Sequence, residues 1–124
     1  MKSYELSFGT IIKLNNNFAE VIVDDGVEMN SSQVKEYHDF LSKNLKTPFY
    51  LLVNRIHSYT YTFEAQKLIM SFNKIKKLAV LLGTQGALMS TETLLNLNTN
   101  INWEIEWFRT REDALEWLNN DRMS

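Results

Sequence analysis

The stretch Phe49-Tyr50-Leu51-Leu52-Val53 decides the fold. Five apolar residues run without alternation, as in a strand buried on both faces, and such strands belong to parallel sheets flanked by crossover helices. Outward from it the punctuation is regular. Pro48 stops an upstream helix in which Val34, Tyr37, Leu41 and Leu45 fall on one stripe, and Ser31 or Ser32 is expected to cap its free N–H groups. Downstream, Thr62 is expected to cap a second helix carrying Ala65, Leu68, Ile69 and Phe72. Ala65 stands where a full capping box would need Glu or Gln. A further buried strand, Leu78-Ala79-Val80-Leu81-Leu82, stops at Gly83.

A third helix is expected from Gly86 through Leu88, Thr91, Leu94 and Leu95, fraying into the Asn-rich segment from Asn96 to Asn102. In Trp103-Glu104-Ile105-Glu106-Trp107-Phe108 apolar residues alternate with Glu, so this strand is expected at a sheet edge with one wet face. Thr110 then caps a final helix docked by Ala114, Leu115, Trp117 and Leu118, with Asp113 suiting the positive helix N-terminus.

On the N-terminal side, Tyr4, Leu6 and Phe8 alternate with Ser3, Glu5 and Ser7 until Gly9 interrupts the run. Asn15-Asn16-Asn17, whose side chains tolerate left-handed backbone, separates Ile11, Ile12 and Leu14 from Phe18 to Val23, which reads as a hairpin. Asp24-Asp25-Gly26 marks a turn before a short extended piece, Val27 to Met29. The order β-β-α-β-α-β-α-β-α predicts an α/β domain with a mostly parallel central sheet, an N-terminal antiparallel hairpin and about four helices. No linker or repeat divides the chain, so residues 1–124 are expected to form one domain.

Composition narrows function by subtraction. With 124 residues, 44% of them hydrophobic, the chain has material for one core. Lys+Arg 13 against Asp+Glu 15 gives a net charge of -2, so composition offers no electrostatic footprint for nucleic acid. Cys is absent, which removes disulfides and thiolate chemistry and fits a reducing compartment. No apolar run has signal-peptide or membrane-spanning length, and a cytoplasmic location is expected.

No catalytic constellation stands out. His38 and His57 lie 19 positions apart with no metal-ligand spacing, so no metal and no cofactor is expected. There is no GxSxG elbow. Gly83-Thr84-Gln85-Gly86 follows a strand and precedes a helix, where backbone N–H groups can hold an anion, yet it lacks the Lys and the length of a P-loop. Asp24 and Asp25 read as turn formers, and Glu104 and Glu106 as an edge that deters sheet pairing. Lys74, Lys76 and Lys77 read as a solvated helix end. What remains is the segment from Asn54 to Thr62, which leaves the carboxyl end of the central strand, where open α/β sheets bind ligands and partners. Its Asn54, His57, Ser58, Tyr59, Tyr61 and Thr62, with Thr84, Gln85 and Gly86 of the next βα turn, are the candidate contact residues. Tyr59 and Tyr61 are equally suited to packing.

The ending Phe108, then Arg111-Glu112-Asp113-Ala114-Leu115-Glu116-Trp117-Leu118, resembles the "F, then R-E-x-A-L-x-W-L" close of SpoIIAA-like proteins, within the wider STAS/SEC14-type group. Leu51-Leu52-Val53-Asn54, Glu64-Ala65-Gln66 and Leu78 to Leu82 are consistent with it, so the likeness spans about Gly26 to Asn119. It is greatest to small uncharacterised single-domain members of Bacteroidetes-type bacteria. The motif is structural, since an aromatic ends the strand and apolar residues pack the last helix, and it implies the fold more than an activity. Anti-sigma-factor antagonists of the STAS family carry an Asp-Ser-Ser segment after the central strand. This chain has Tyr59-Thr60-Tyr61-Thr62-Phe63 there, so their phosphorylation control does not carry over. SEC14-type lipid carriers need extra helices that 124 residues do not supply.

The resulting expectation is a non-catalytic regulatory or protein-interaction module. The alternative is a binding protein for a small apolar or anionic metabolite, held between the 54–62 and 83–90 loops. The third reading is an enzyme using His57 as acid–base with Ser58 or Tyr59. Exposed edge strands and aromatics also predict a homodimer.

Overall fold

The computed structural model describes residues 2–57, 59–82 and 104–122. Among these, β5 (Phe49–Arg55) is the strand around which the molecule is built, and all seven of its residues are buried. It runs parallel to β3 (Phe18–Val23) on one side and to β7 (Ile75–Leu82) on the other. β8 (Glu104–Phe108) pairs in parallel with β7 and closes that edge, as the alternation with Glu predicts. On the other side β1 (Lys2–Leu6) and β2 (Gly9–Asn15) join β3 antiparallel, so the sheet order is β1-β2-β3-β5-β7-β8.

The expected hairpin is thus two strands of a three-stranded meander, because the alternating run before Gly9 pairs with β2 as well. Gly9 is required there: a Cβ at this position would collide with the Ile22 carbonyl oxygen across the ladder. The Asn turn also differs from expectation. No described non-glycine residue has a positive φ. The turn closes instead with the Asn17 N–H donating to Asn15 Oδ1 at 3.1 Å, next to a register shift between Lys13 and Asn15. Gly26, at φ 79°, is the residue that takes up left-handed backbone.

Three helices are described: α1 (Ser31–Asn44), α2 (Phe63–Ser71) and α3 (Arg111–Arg122). The fourth helix, expected from Gly86, lies outside the described residues. α1 and α2 cover one face of the sheet, where Val34, Tyr37, Leu41 and Ala65 pack against Ile11, Ala19, Val21, Phe49 and Leu51. α3 covers the other, with Ala114 and Leu118 against Phe18, Tyr50, Leu52, Ala79 and Leu81. Each fully buried Leu or Phe on β5 contributes roughly 1.5–3 kcal/mol over an exposed one, so the central strand anchors both layers.

The caps correct one expectation. Asn30, not Ser31 or Ser32, is the N-cap of α1, accepting from the Gln33 N–H at 2.9 Å while Gln33 Oε1 accepts from the Asn30 N–H at 3.1 Å. Asn reaches the third helical N–H as well as Ser does, and Gln33 completes a capping box. Thr62 caps α2 through the Ala65 N–H at 3.2 Å, and Thr110 accepts from the Asp113 N–H at 3.2 Å, both as expected. The lysine cluster is a second correction. α2 ends at Ser71, so Lys76 and Lys77 lie in β7. Lys77 is buried with its Nζ 3.3 Å from the Trp117 carbonyl oxygen and 4.3 Å from the Trp117 ring centroid. The ammonium is thus held against the indole face and a carbonyl of the last helix.

Candidate functional site

Two short strands, β4 (Glu28–Met29) and β6 (Thr60–Tyr61), pair in parallel beyond the carboxyl ends of β3 and β5 and pin the candidate loop. The Thr60 N–H donates to the Val27 carbonyl at 3.0 Å, and the Thr62 N–H to that of Met29 at 2.9 Å. The loop after β5 is therefore a held structure that joins the 24–30 turn, not a free connection.

Most of its polar residues face inward. Asn54 belongs to β5 and is buried on the α3 side, donating to Glu20 Oε2 at 3.0 Å and accepting from the Ile56 N–H at 3.2 Å. Arg55, 3% exposed, points to the other face; it donates to the Tyr59 carbonyl at 2.9 Å and lies 4.2 Å above the Tyr59 ring centroid. Tyr59 is buried in the α1/α2 core, its hydroxyl 3.3 Å from that of the half-buried Tyr61. Burial raises the pKa of both tyrosines, with the Arg55 charge opposing the rise, and raises that of neighbouring Tyr37 as well, so all three stay neutral phenols. Thr62 is committed to its cap. A tyrosine held neutral in this way is a poor acid–base group near neutral pH.

What the loop shows to solvent is different. Ile56 is 53% exposed and Phe63 62% exposed, and His57 is half-buried between strand end and loop. The Lys67 ammonium lies 4.5 Å from the Phe63 ring centroid. Pairing of Ile22 with Asn54 brings Asp24 and Ile56, each two residues further on, to neighbouring strand ends. The exposed side chains at this end of the sheet therefore include two large apolar ones, Ile56 and Phe63, together with Asp24, Asp25, Glu28, Thr60 and Glu64. Of the candidate residues, the structure brings Tyr59 and Tyr61 together and places Thr62 beside them, whereas Asn54 faces the α3 side of the sheet and His57 lies in the loop between; Ser58, Thr84, Gln85 and Gly86 lie outside the described residues.

Ile56 and Phe63 are not among the candidates on sequence, because the candidate residues are chosen for polar or phenolic groups and these two are plain apolar side chains. The signal was positional: each lies one residue outside an element's packed register, Ile56 just past β5 and Phe63 at the first position of α2. Glu20 is also missed by pattern reading. It is a buried carboxylate that accepts from Arg111 Nη2 at 2.8 Å and from Asn54, joining β3, β5 and α3. Elsewhere, an open groove of about 530 Å³ runs between β1 and α1, lined by Leu6, Ser32, Lys35, Glu36 and Phe40, away from the 54–62 loop. Among the described residues no three His, Asp or Glu side chains converge as a metal site, and no helix is long and apolar enough to cross a membrane.

No family model matches the chain, and no curated protein does. A solved structure does: the chain is similar to an uncharacterized protein of the DUF3478 family with a SpoIIAA-like fold, from Shewanella loihica PV-4. The TM-score is 0.59 at 18% identity, over 95% of this chain and 98% of that one. Such a likeness speaks to architecture alone, and it agrees with the sheet order and helix placement described above: the chain has an α/β SpoIIAA-like fold.

Proposed function

We propose that the protein is a non-catalytic interaction module of STAS/SpoIIAA-like type, and that it meets its partner through the surface formed by Ile56, His57, Thr60 and Phe63. The observation that carries this reading is the exposure of Ile56 and Phe63 at the carboxyl end of the central strand, the end where α/β sheets of this kind bind. Large apolar side chains bracketing a pinned loop and ringed by polar groups form the centre-and-rim pattern of interfaces. The inward commitment of Asn54, Tyr59 and Thr62 supports binding over chemistry, because these groups already have partners. A cytoplasmic location and a regulatory role belong to the same reading.

A photo-cross-linking residue in place of Phe63, with one in place of exposed Glu116 on α3 as control, tests it in the producing cell. A discrete product at position 63 and none at position 116 is expected. Equal, diffuse products at both positions would remove the assignment.

A further inference from the structure

We infer that the protein associates head to tail with further copies of itself, the amino end of the parallel strands of one copy docking on the carboxyl end of the next. This rests on the reading of the 56–63 surface as a contact surface, and it names an occupant. The net charge of -2 conceals a division that the topology makes. Lys2 and Lys13 face each other across β1 and β2. Lys43 lies in the last turn of α1, and the Lys46 N–H is bonded to the Asn16 carbonyl at the hairpin tip, 2.7 Å away. Lys74 precedes β7, its carbonyl accepting from the Phe49 N–H at 2.9 Å and its Nζ 3.3 Å from Ser42 Oγ. Lys43, Lys46, Lys74 and Lys76 lie where β5 and β7 begin, and Lys13 and Lys2 are at the same end of the sheet, two and three strands from β5. The carboxylates toward this end include Glu104, opposite Lys77, Asp39, one turn back from Lys43, and, on α3, Glu116 beside Trp117 with Asp121 one turn further along the helix.

The opposite end carries the other sign. Asp24, Asp25, Glu28 and Glu64 are exposed about Ile56 and Phe63. Of the cations there, Arg55 is buried against Tyr59, Lys67 lies against Phe63, Arg111 is held by Glu20, and Arg109 stands at the end of β8, two strands from β5. Like charges directly opposite on paired strands cost stability, and Lys2 and Lys13 stand in that relation. A counter-charge from outside offsets it. One chain holds both complementary poles, and its near-zero net charge leaves no single-signed field to keep copies apart. Because the two patches differ, the contact is heterologous, and it continues from copy to copy unless a rotation closes it.

Sedimentation velocity on the full chain at high concentration tests this in roughly 10 mM salt, where the screening length is ~30 Å, and in roughly 1 M salt, where it is ~3 Å. The expected result is association at low salt that is at least tenfold weaker at high salt. A variant with Lys43→Gln, Lys46→Gln and Lys74→Gln, and another with Asp24→Asn, Asp25→Asn and Glu28→Gln, should each be monomeric alone. An equimolar mixture should form a 1:1 complex and nothing larger, since each variant keeps one working pole. Association that is equal at both salts, or that persists in each variant alone, overturns the inference. So does a wild type that stays monomeric at low salt, whether or not poly-glutamate or duplex DNA binds its lysines. A monomeric wild type that still gives a foreign cross-linked partner at position 63 overturns this inference and leaves the contact-surface reading standing.

Discussion

Arg111 and Glu20, 91 positions apart, meet through two hydrogen bonds of 3.2 and 2.8 Å, and this ion pair ties the last helix to the sheet. The geometry is asymmetric, with a side chain 47% exposed in Arg111 and 4% exposed in Glu20. The bond to Glu20 raises the Arg111 pKa, so the guanidinium is always charged. Removing the arginine leaves a buried carboxylate that still accepts from the Asn54 amide.

Arg111→Ala is therefore expected to destabilise the fold by about 2 kcal/mol, less than the 3–5 kcal/mol of a fully buried pair because Arg111 is half in solvent. Replacing both partners, Glu20→Leu with Arg111→Leu, should recover most of that loss. Urea denaturation of the three proteins measures it, and a double variant as unstable as Arg111→Ala would refute the burial argument.

His38 supplies a pH dependence. It stacks on Phe72 with ring centroids 4.0 Å apart, and burial pushes its pKa down to about 4, with Asp39 opposing weakly. The unfolded chain takes up this proton near pH 6.5 while the folded chain does not. Stability should thus fall as pH drops from about 6.5 towards 4, and this contribution should level off below that. Because His38 is only partly buried, about 1–2 kcal/mol is expected over the window. In His38→Phe the slope of melting temperature against pH between these values should flatten; an unchanged slope would exclude His38 as its source.

Thr62 separates capping from contact. Thr62→Ala should cost about 1 kcal/mol, and Thr62→Asp, an equally good cap, should restore it. Both should leave cross-linking at position 63 as in the wild type. Loss of cross-linking in Thr62→Asp at full stability would return Thr62 to the contact surface.

Gly9 is a packing constraint. Gly9→Ala is expected to cost about 1–3 kcal/mol, since the methyl group meets the backbone of β3 and not a side chain that can move aside. Thermal unfolding would show a lowered midpoint, and an unchanged one would mean that β1 and β2 can shift on β3.

The layers were legible in the sequence because burial on both faces, as in Phe49 to Val53, and alternation, as in Glu104 to Phe108, write themselves into residue order. The edge position of β8, the caps Thr62 and Thr110 and the docking of Ala114 and Leu118 follow from such local signals. Asn30 was not legible as the cap because Ser31 and Ser32 offer the same chemistry one and two positions later. Lys77 was misread since a lysine beneath a tryptophan looks, in sequence, like any solvated lysine. The candidate loop follows from its place after the central strand, while which of its residues face outward is not legible in sequence. A period cannot tell that Tyr59 folds under while Ile56 and Phe63 stay out, because β4, 31 residues before β6 by the Met29 to Thr60 separation, sets that orientation. The division of charge was hidden for a related reason: composition sums charges that topology then sorts to opposite ends.

The most direct test of the central claim is a comparison of wild type with Ile56→Ser/Phe63→Ser, in which the cross-linking residue stands at Thr60, after equal melting temperatures have been verified. At least a tenfold loss of the cross-linked partner in the double variant is expected, since exposed apolar anchors carry most of an interface's energy. Undiminished recovery of the same partner would contradict the assignment of this surface.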